Sequence, residues 1–341
     1  QRNDRAGRRD VGFWGEKRRF WEVGFRKHYA MLTVDTEALP KRASDDHVNR
    51  LIWGKHDKGT AGIREMCSIG DEFNAKHVFF VDMCGAYRYP EEMREVLHWL
   101  DREKQDVQLH MHPEVLPAAF WTDNGVEFRP EYLNDYLQDR WAEFLIRHFG
   151  NQLSEMTGKS VVAYRAGSFR WNACTIRALK AANIPLSFNN SMRAYCAGRC
   201  VFSEPAIRPY VWSNGVIEIP ATEKKVPRPG GRDLWAGLTF PESSHFPFEG
   251  NRRSFLSGIF RNVPAFTVFL LHSWSLLYWD ENGHASYVND RRLEEYRRLL
   301  ARITKSHDVI TTRDFMELYA RGDIVPTHTV EVGRAERRVL A

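Results

Sequence analysis

The chain has 341 residues, 43% of them hydrophobic, with 49 Lys and Arg against 44 Asp and Glu for a net charge of +5. That is ample material for a core, and the absence of any run of about 18 apolar residues excludes a membrane-spanning helix. Five scattered cysteines, Cys67, Cys84, Cys174, Cys196 and Cys200, are an odd number that argues against a disulfide framework and for free thiols in a reducing compartment.

Residues 1–28 read as a basic N-terminal arm, with nine Lys or Arg in the first 27 positions. No apolar stretch follows them, so no secretory signal is expected and the expected location is cytoplasmic. No aromatic and basic interleaving of a known binding module follows either, so nucleic acid is not an expected partner. HYAMLTVDTEAL (28–39) then reads as a buried strand and turn, GIREMCSIGDEFNA (62–75) as a helix and HVFFVDM (77–83) as a strand. PEEMREVLHWLDREK (90–104) starts with Pro, carries acids in its first turn and has a 3.6-residue apolar period, the pattern of a helix. DVQLHMH (106–112) is the next strand, 131–156 a long helix, SVVAYRA (160–166) a strand and NACTIRALKAANI (172–184) a helix. A short strand PLSFNN follows, then strands at 215–221 and 265–274, a helix at 289–304 that Asn289 or Asp290 could cap, and a closing strand, cap and helix in DVITTRDFMELYA.

Strands alternating with helices predict parallel strands with helices outside. About seven such units predict an α/β fold, a distorted (β/α)7 barrel over residues 29–320 as a single domain. A long irregular insertion, 190–264, rich in Pro, Gly, Arg and aromatic residues, reads as a substrate loop. Residues 321–341 read as a charged C-terminal tail.

Functional groups of such barrels lie at the carboxyl ends of the strands, and four predicted strands end in reactive residues. In TVDTE the period of two puts Thr33, Asp35 and Glu37 on one face, and two carboxylates so placed call for a nearby cation or strong donor. In DVQLHMHPE the same period puts His110 and His112 side by side. SVVAYRA ends near Tyr164 and Arg165, and the apolar run FTVFLL ends at His272. One carboxylate with two neutral imidazoles makes a three-ligand site for a divalent ion with open positions. The second carboxylate is then available as a general base, an Arg beside it as its brace, and a histidine opposite as the acid for the leaving group. That set describes metal-assisted hydrolysis of an amide or ester.

The order TVDTE, HMHP, YRAGSFRWN and FLLHSW, over about residues 30–275, resembles the NodB-homology polysaccharide deacetylases, the fourth family of carbohydrate esterases. The resemblance implies the distorted (β/α)7 barrel and a divalent metal ion, zinc before others. It also implies removal of N-acetyl or O-acetyl groups from an acetylated sugar or glycan, expected here in surface polysaccharide or lipopolysaccharide biosynthesis. It makes Asp35 the catalytic base, Glu37 the metal carboxylate, His110 the first metal histidine, Arg165 the brace of the base and His272 the catalytic acid. The strand GVIEIPAT resembles one that often follows in these proteins.

The family's second metal histidine, four residues after the first, is Glu114 here, so His112 takes that role by the period-of-two argument, with Glu114 as the alternative. Thr36 stands for a second aspartate, Gly167 for a proline, Phe269 for a leucine, and Asn189 in SFNNS for an aspartate. Trp274, next but one to His272, is the expected sugar-stacking residue. An oxyanion donor is expected from the amides of Cys84–Tyr87 or of the HMHP turn. These departures leave open a catalytically inactive carbohydrate-binding protein on the same fold. A non-haem iron enzyme with two His and a carboxylate fits the strand and helix alternation less well, since such enzymes generally use antiparallel scaffolds.

Overall fold

The run YAMLTVDT forms β1 (Tyr29–Thr36), buried on both faces as a central parallel strand requires. The computed structural model describes residues 28–126, 132–226, 234–242 and 266–336. After β1 come β2 (His77–Asp82), β3 (Asp106–Met111), β4 (Ala163–Ala166), β5 (Leu186–Ser187), β6 (Tyr210–Trp212), β7 (Ile217–Glu218), β8 (Phe266–His272), β9 (Asp308–Val309) and β10 (Thr329–Val330). They join in the order β8-β1-β2-β3-β4-β5-β7-β6-β10, with β9 also paired to β1. Every pairing is parallel except β6 with β7.

The sheet curls until its ends meet. The Leu238 amide donates to the Thr222 carbonyl at 2.9 Å and the Leu270 amide to the Leu238 carbonyl at 3.0 Å. The Val268 amide reaches Thr222 Oγ1 at 2.8 Å. One short segment thus bridges the seam between the chain beyond β7 and β8, and the result is a distorted (β/α) barrel.

Side-chain alternation divides the barrel into an inside and an outside. Met31, Val78, Phe80, Ala163, Leu186, Phe188, Ile217 and Val268 form one inner cluster with Phe315 and Leu318. Phe315 and Leu318 lie on α6 (Thr312–Ala320), which Thr311 caps through its side chain, so this last helix stoppers the amino end of the strands. Leu32, Val34, Phe79, Val81 and Leu109 point outward into a larger core. The helices that share it are α1 (Ile63–Asp71), α2 (Pro90–Arg102), α3 (Asp139–Thr157), α4 (Ala173–Ala181) and α5 (Arg291–Ile303).

Local signals place most of these elements. Pro90 opens α2, and the Asn172 side chain caps α4 by accepting from the Cys174 and Thr175 amides. Tertiary contacts override the periodicity at two places. The helix expected from 131 begins only at Asp139, because Asn172 donates to the carbonyl of Tyr136 and holds 132–138 in an irregular path. The strand expected from 160 begins at Ala163, because the Val162 and Ala163 amides are both taken by Gln108 Oε1 at 2.9 Å.

Two readings of the chain organisation need correction. Within 190–264, expected as irregular apart from the strand at 215–221 that appears as β7, lie also β6 and an antiparallel hairpin of Glu223–Val226 with Leu234–Gly237. The expected tail packs on the body through residue 336, with β10 beside β6 and Val330, Val332 and Ala335 buried. Strands of two or three residues carry too short a pattern to be read from periodicity. The basic arm, residues 1–27, lies outside the described residues. All five cysteines are free.

Candidate metal centre

The inward rows that are apolar at the barrel floor turn polar at its carboxyl mouth. On β1 the row runs Met31, Thr33, Asp35 and then Glu37 just past the strand; on β3 it runs Gln108, His110 and then His112. All of these polar groups are buried. Glu37 Oε1 faces His110 Nε2 at 2.9 Å and His112 Nε2 at 3.1 Å. Glu37, His110 and His112 present ligand atoms within 4.8 Å of one another, as do Asp35, Glu37 and His272.

The other ring nitrogens decide the chemistry of this trio. His110 Nδ1 lies 2.8 Å from the carbonyl of Arg165, an acceptor only, so that nitrogen carries the proton. His112 Nδ1 lies 2.6 Å from Glu114 Oε1 and donates to it. In the neutral rings both Nε2 lone pairs therefore point at a carboxylate oxygen. Three acceptors with no donor repel unless a cation joins them, either extra protons or a metal ion. The donor set of two imidazole nitrogens and one carboxylate fits a borderline divalent ion such as zinc, with each histidine braced by a second acceptor.

The titration behaviour of the metal-free trio agrees. Burial opposes charge on His112, yet Glu37 and Glu114 hold its pKa well above the usual 6.5. Burial likewise opposes charge on His110, which Asp35 and Glu37 still raise. Burial would raise Glu37, but His112 and the hydrogen bonds from both rings hold it well below its ordinary 4.5. Glu114 does not join the cluster; its carboxylate orients His112 from behind, and His112 itself completes the trio.

Asp35 stands beside the trio on its own support. Arg165, on β4, donates through Nη1 to Asp35 Oδ1 at 2.6 Å and through Nη2 to Thr33 Oγ1 at 2.8 Å, and its guanidinium lies 4.3 Å from the centre of the Phe80 ring. The second oxygen of Asp35 is left for the cavity. His272, at the end of β8, is in register with Asp35, and its backbone amide is held by Ser275 Oγ at 2.9 Å. Asp35, Glu37, His110, His112, Arg165 and His272 thus gather at one mouth, whereas Tyr164 packs in the outer core.

Trp274 is placed otherwise than expected. It is only 6% exposed and stacks on the His272 ring at 4.9 Å between centres and 16° between planes, so it supports that histidine and offers no open face to a sugar. Asn189 is also internal, accepting from the Ala166 amide and donating to Ser187. Its neighbour Glu218, a buried carboxylate that the sequence reading passed over, accepts from the Asn189 and Asn190 amides and from Trp212 Nε1.

Asp82 is the other buried carboxylate missed in sequence. It ends β2, and it accepts from the amides of Cys84, Gly85 and His112. Burial raises its pKa against the lowering effect of the nearby His112 and His110 charges. The signal was the inward row Val78, Phe80, Asp82 followed by a helix start. These bonds narrow the oxyanion expectation, because the amides of Cys84, Gly85 and His112 are already bound to Asp82.

Gly167 is demanded by His112. A Cβ at position 167 would lie 2.5 Å from the Met111 carbonyl and 2.7 Å from His112 Nδ1. The two following residues, Ser168 and Phe169, already sit in the left-handed region at φ of 53° and 55°, so the loop has little freedom to retreat. Gly167→Ala is therefore expected to tilt the His112 ring and, if the trio takes up a divalent ion, to weaken that binding by about 10- to 100-fold, the range found for changes behind metal ligands. Equilibrium dialysis against competing chelators measures this, and unchanged affinity would show that His112 is not a ligand.

The structure of a presumed polysaccharide deacetylase from Mycobacterium smegmatis aligns with 90% of this chain and 94% of its own, at 17% identity and a TM-score of 0.53. The two chains share a fold. A 4-α-glucanotransferase from Thermococcus litoralis aligns with 89% of this chain and 42% of its own, at 12% identity and a TM-score of 0.49. The Xyl-CE4 domain of a multidomain xylanase from the hindgut metagenome of Trinervitermes trinervoides aligns with 89% of this chain and 97% of its own, at 8% identity and a TM-score of 0.42. No family model and no curated protein matches the sequence. Among the described residues no helix is long and apolar enough to cross a membrane.

Proposed function

We propose that the chain is a metal-dependent carbohydrate deacetylase, hydrolysing an N-acetyl or O-acetyl group of a sugar or glycan at the barrel mouth. The observation that carries this reading is the convergence of the Glu37 carboxylate and the Nε2 atoms of His110 and His112 on one point, with Asp35 and His272 close by. The presumed deacetylase from Mycobacterium smegmatis supports it through fold alone.

In this reading Glu37, His110 and His112 would hold the ion, zinc being the choice the donor set favours. When bound, a divalent ion supplies Lewis acidity toward the acetyl carbonyl and lowers the pKa of water. Asp35, fixed by Arg165 through Oδ1, turns its free oxygen to the attacking water and takes a proton from it. The Arg165 side chain donates through Nη1 to Asp35 and through Nη2 to Thr33 and so keeps the carboxylate from rotating. His272 donates a proton to the leaving nitrogen or oxygen, and its flat contact with Trp274 fixes the plane in which it does so. The buried surroundings keep bulk water out of the proton transfers.

Asp35→Asn keeps the shape and removes the proton acceptor. Acetate release from acetylated oligosaccharides is expected to fall about 100-fold in kcat/KM, at the lower end of general-base effects, while bound zinc stays at the wild-type level. Retained activity, or loss of the metal with it, would overturn the roles given to Asp35 and Glu37.

A further inference from the structure

Two loops leave the mouth from neighbouring strands and meet again at the surface. One follows β1, from Glu37 to the short 3-10 turn Pro40–Arg42; the other follows β8, from His272 through Trp274 to Trp279. Their meeting point is Arg42, whose guanidinium lies 4.9 Å from the centre of the Trp279 ring. Trp279 in turn packs edge-on against Trp274, at 6.3 Å and 66°, and Trp274 lies flat on His272. A continuous line of contact thus runs from the catalytic face to the rim. Unlike Trp274, Trp279 is open, at 41% exposed.

The charges around Arg42 are unbalanced. Asp45 is engaged by Arg50 and Asp46 by Asn49. Asp280, beside Trp279, accepts from the amides of Asn282 and His284. Among the described residues no carboxylate, Glu281 included, pairs with Arg42. An exposed guanidinium with no acid partner, seated on an indole face, is pre-organised to receive an oxyanion, because the stack has already removed much of its rotamer freedom. The indole offers its remaining open surface to a sugar ring.

We propose that Arg42, seated on Trp279, is the anion-recognising element of a substrate subsite at this rim, and that the glycan taken here carries a carboxylate or phosphate on a sugar near the acetylated one. The proposal rests on the deacetylase reading of the mouth and adds the substrate class. Arg42 acts by binding and has no part in the proton transfers.

The test compares short N-acetylated hexosamine oligosaccharides of one backbone in three forms: neutral, uronate-bearing and phosphate-bearing. With wild-type protein, kcat/KM is expected to be about 10-fold higher for an anionic form than for the neutral one, the scale of one exposed charge-assisted contact. The difference should lie in KM and fade as salt is raised. Arg42→Gln should bring the ratio of anionic to neutral kcat/KM to about one, and Arg42→Lys should restore part of it. Whichever anion shows the larger advantage identifies the group. Calorimetric binding of the deacetylated forms supplies a readout independent of turnover. If no acetylated form releases acetate but anionic forms still bind tighter through Arg42, the deacetylase reading fails and the subsite stands. If acetate is released and charge, or Arg42→Gln, makes no difference in rate or binding, the subsite is wrong and the reading of the mouth stands.

Discussion

Glu37→Gln is expected to lower zinc affinity on the order of 1000-fold, beyond the 10- to 100-fold typical of changes behind the ligands. Glu37 is hydrogen-bonded to both His110 and His112, and it is buried, so no water can replace its charge cheaply. Glutamine keeps the volume but turns a two-lone-pair anion into a neutral amide. The change also has a pH signature. In metal-free protein both rings have pKa values above the ordinary 6.5, so their contribution to stability is complete below about pH 6.5 and is lost as pH rises through the raised values. Glu37 lies below the ordinary 4.5, so its contribution is complete above about pH 4.5 and is lost as pH falls through the lowered value. The cluster thus favours the metal-free fold most between roughly pH 4.5 and 6.5, and a metal ion must displace its protons. Near pH 6.5, zinc binding to wild type is expected to release protons, read by calorimetry in buffers of different ionisation enthalpy. In Glu37→Gln the stability maximum in that window should vanish. Wild-type zinc affinity in this variant would remove Glu37, and with it the proposed centre.

Arg165→Met is expected to cost about 3–5 kcal/mol of stability, the usual result of removing one partner of a buried ion pair. Arg165 is 2% exposed and is the ion-pair partner of Asp35, to which its Nη1 donates while its Nη2 donates to Thr33. Thr33 Oγ1 passes the chain on to the Phe269 carbonyl, so the set ties β4 to β1 and β1 to β8. Methionine fills much of the space over Phe80 but leaves the Asp35 charge buried alone. Urea unfolding measures the loss. The double variant Asp35→Asn with Arg165→Met should cost at least about 1 kcal/mol less than the two single changes added together, because neither charge is then stranded. Simple additivity would show that the two side chains do not act as a pair.

Several of these residues were legible before any coordinates, and for a definite reason. Facing within a strand follows from the backbone alone, so Asp35 with Glu37 and His110 with His112 could be read as pairs from their spacing of two. The strand and helix alternation gave the barrel class, and the barrel class gave the end at which reactive groups gather. The period of two does not by itself decide between His112 and Glu114. Glu114 lies beyond the strand, in the 3-10 turn Pro113–Val115, where the period of two no longer applies, and only the folded chain shows it turned behind His112. Trp274 was misread because adjacency to His272 in sequence says nothing about which side of the ring is open; the stack on His272 buries it and leaves Trp279 at the rim.

By itself, the sequence determined which side chains share a strand face and which strands end in titratable groups, since both depend on dihedral preferences of a few consecutive residues. Only the tertiary structure decided who meets whom. Pairing β1 with β8 set His272 beside Asp35, and pairing β3 with β4 set the Arg165 carbonyl against His110. The loops then carried Arg42 to Trp279, and Asp82 captured the His112 amide. Those contacts join residues as much as 237 positions apart, as with Asp35 and His272. Their selection rests on the packing of the whole barrel, which no local pattern encodes.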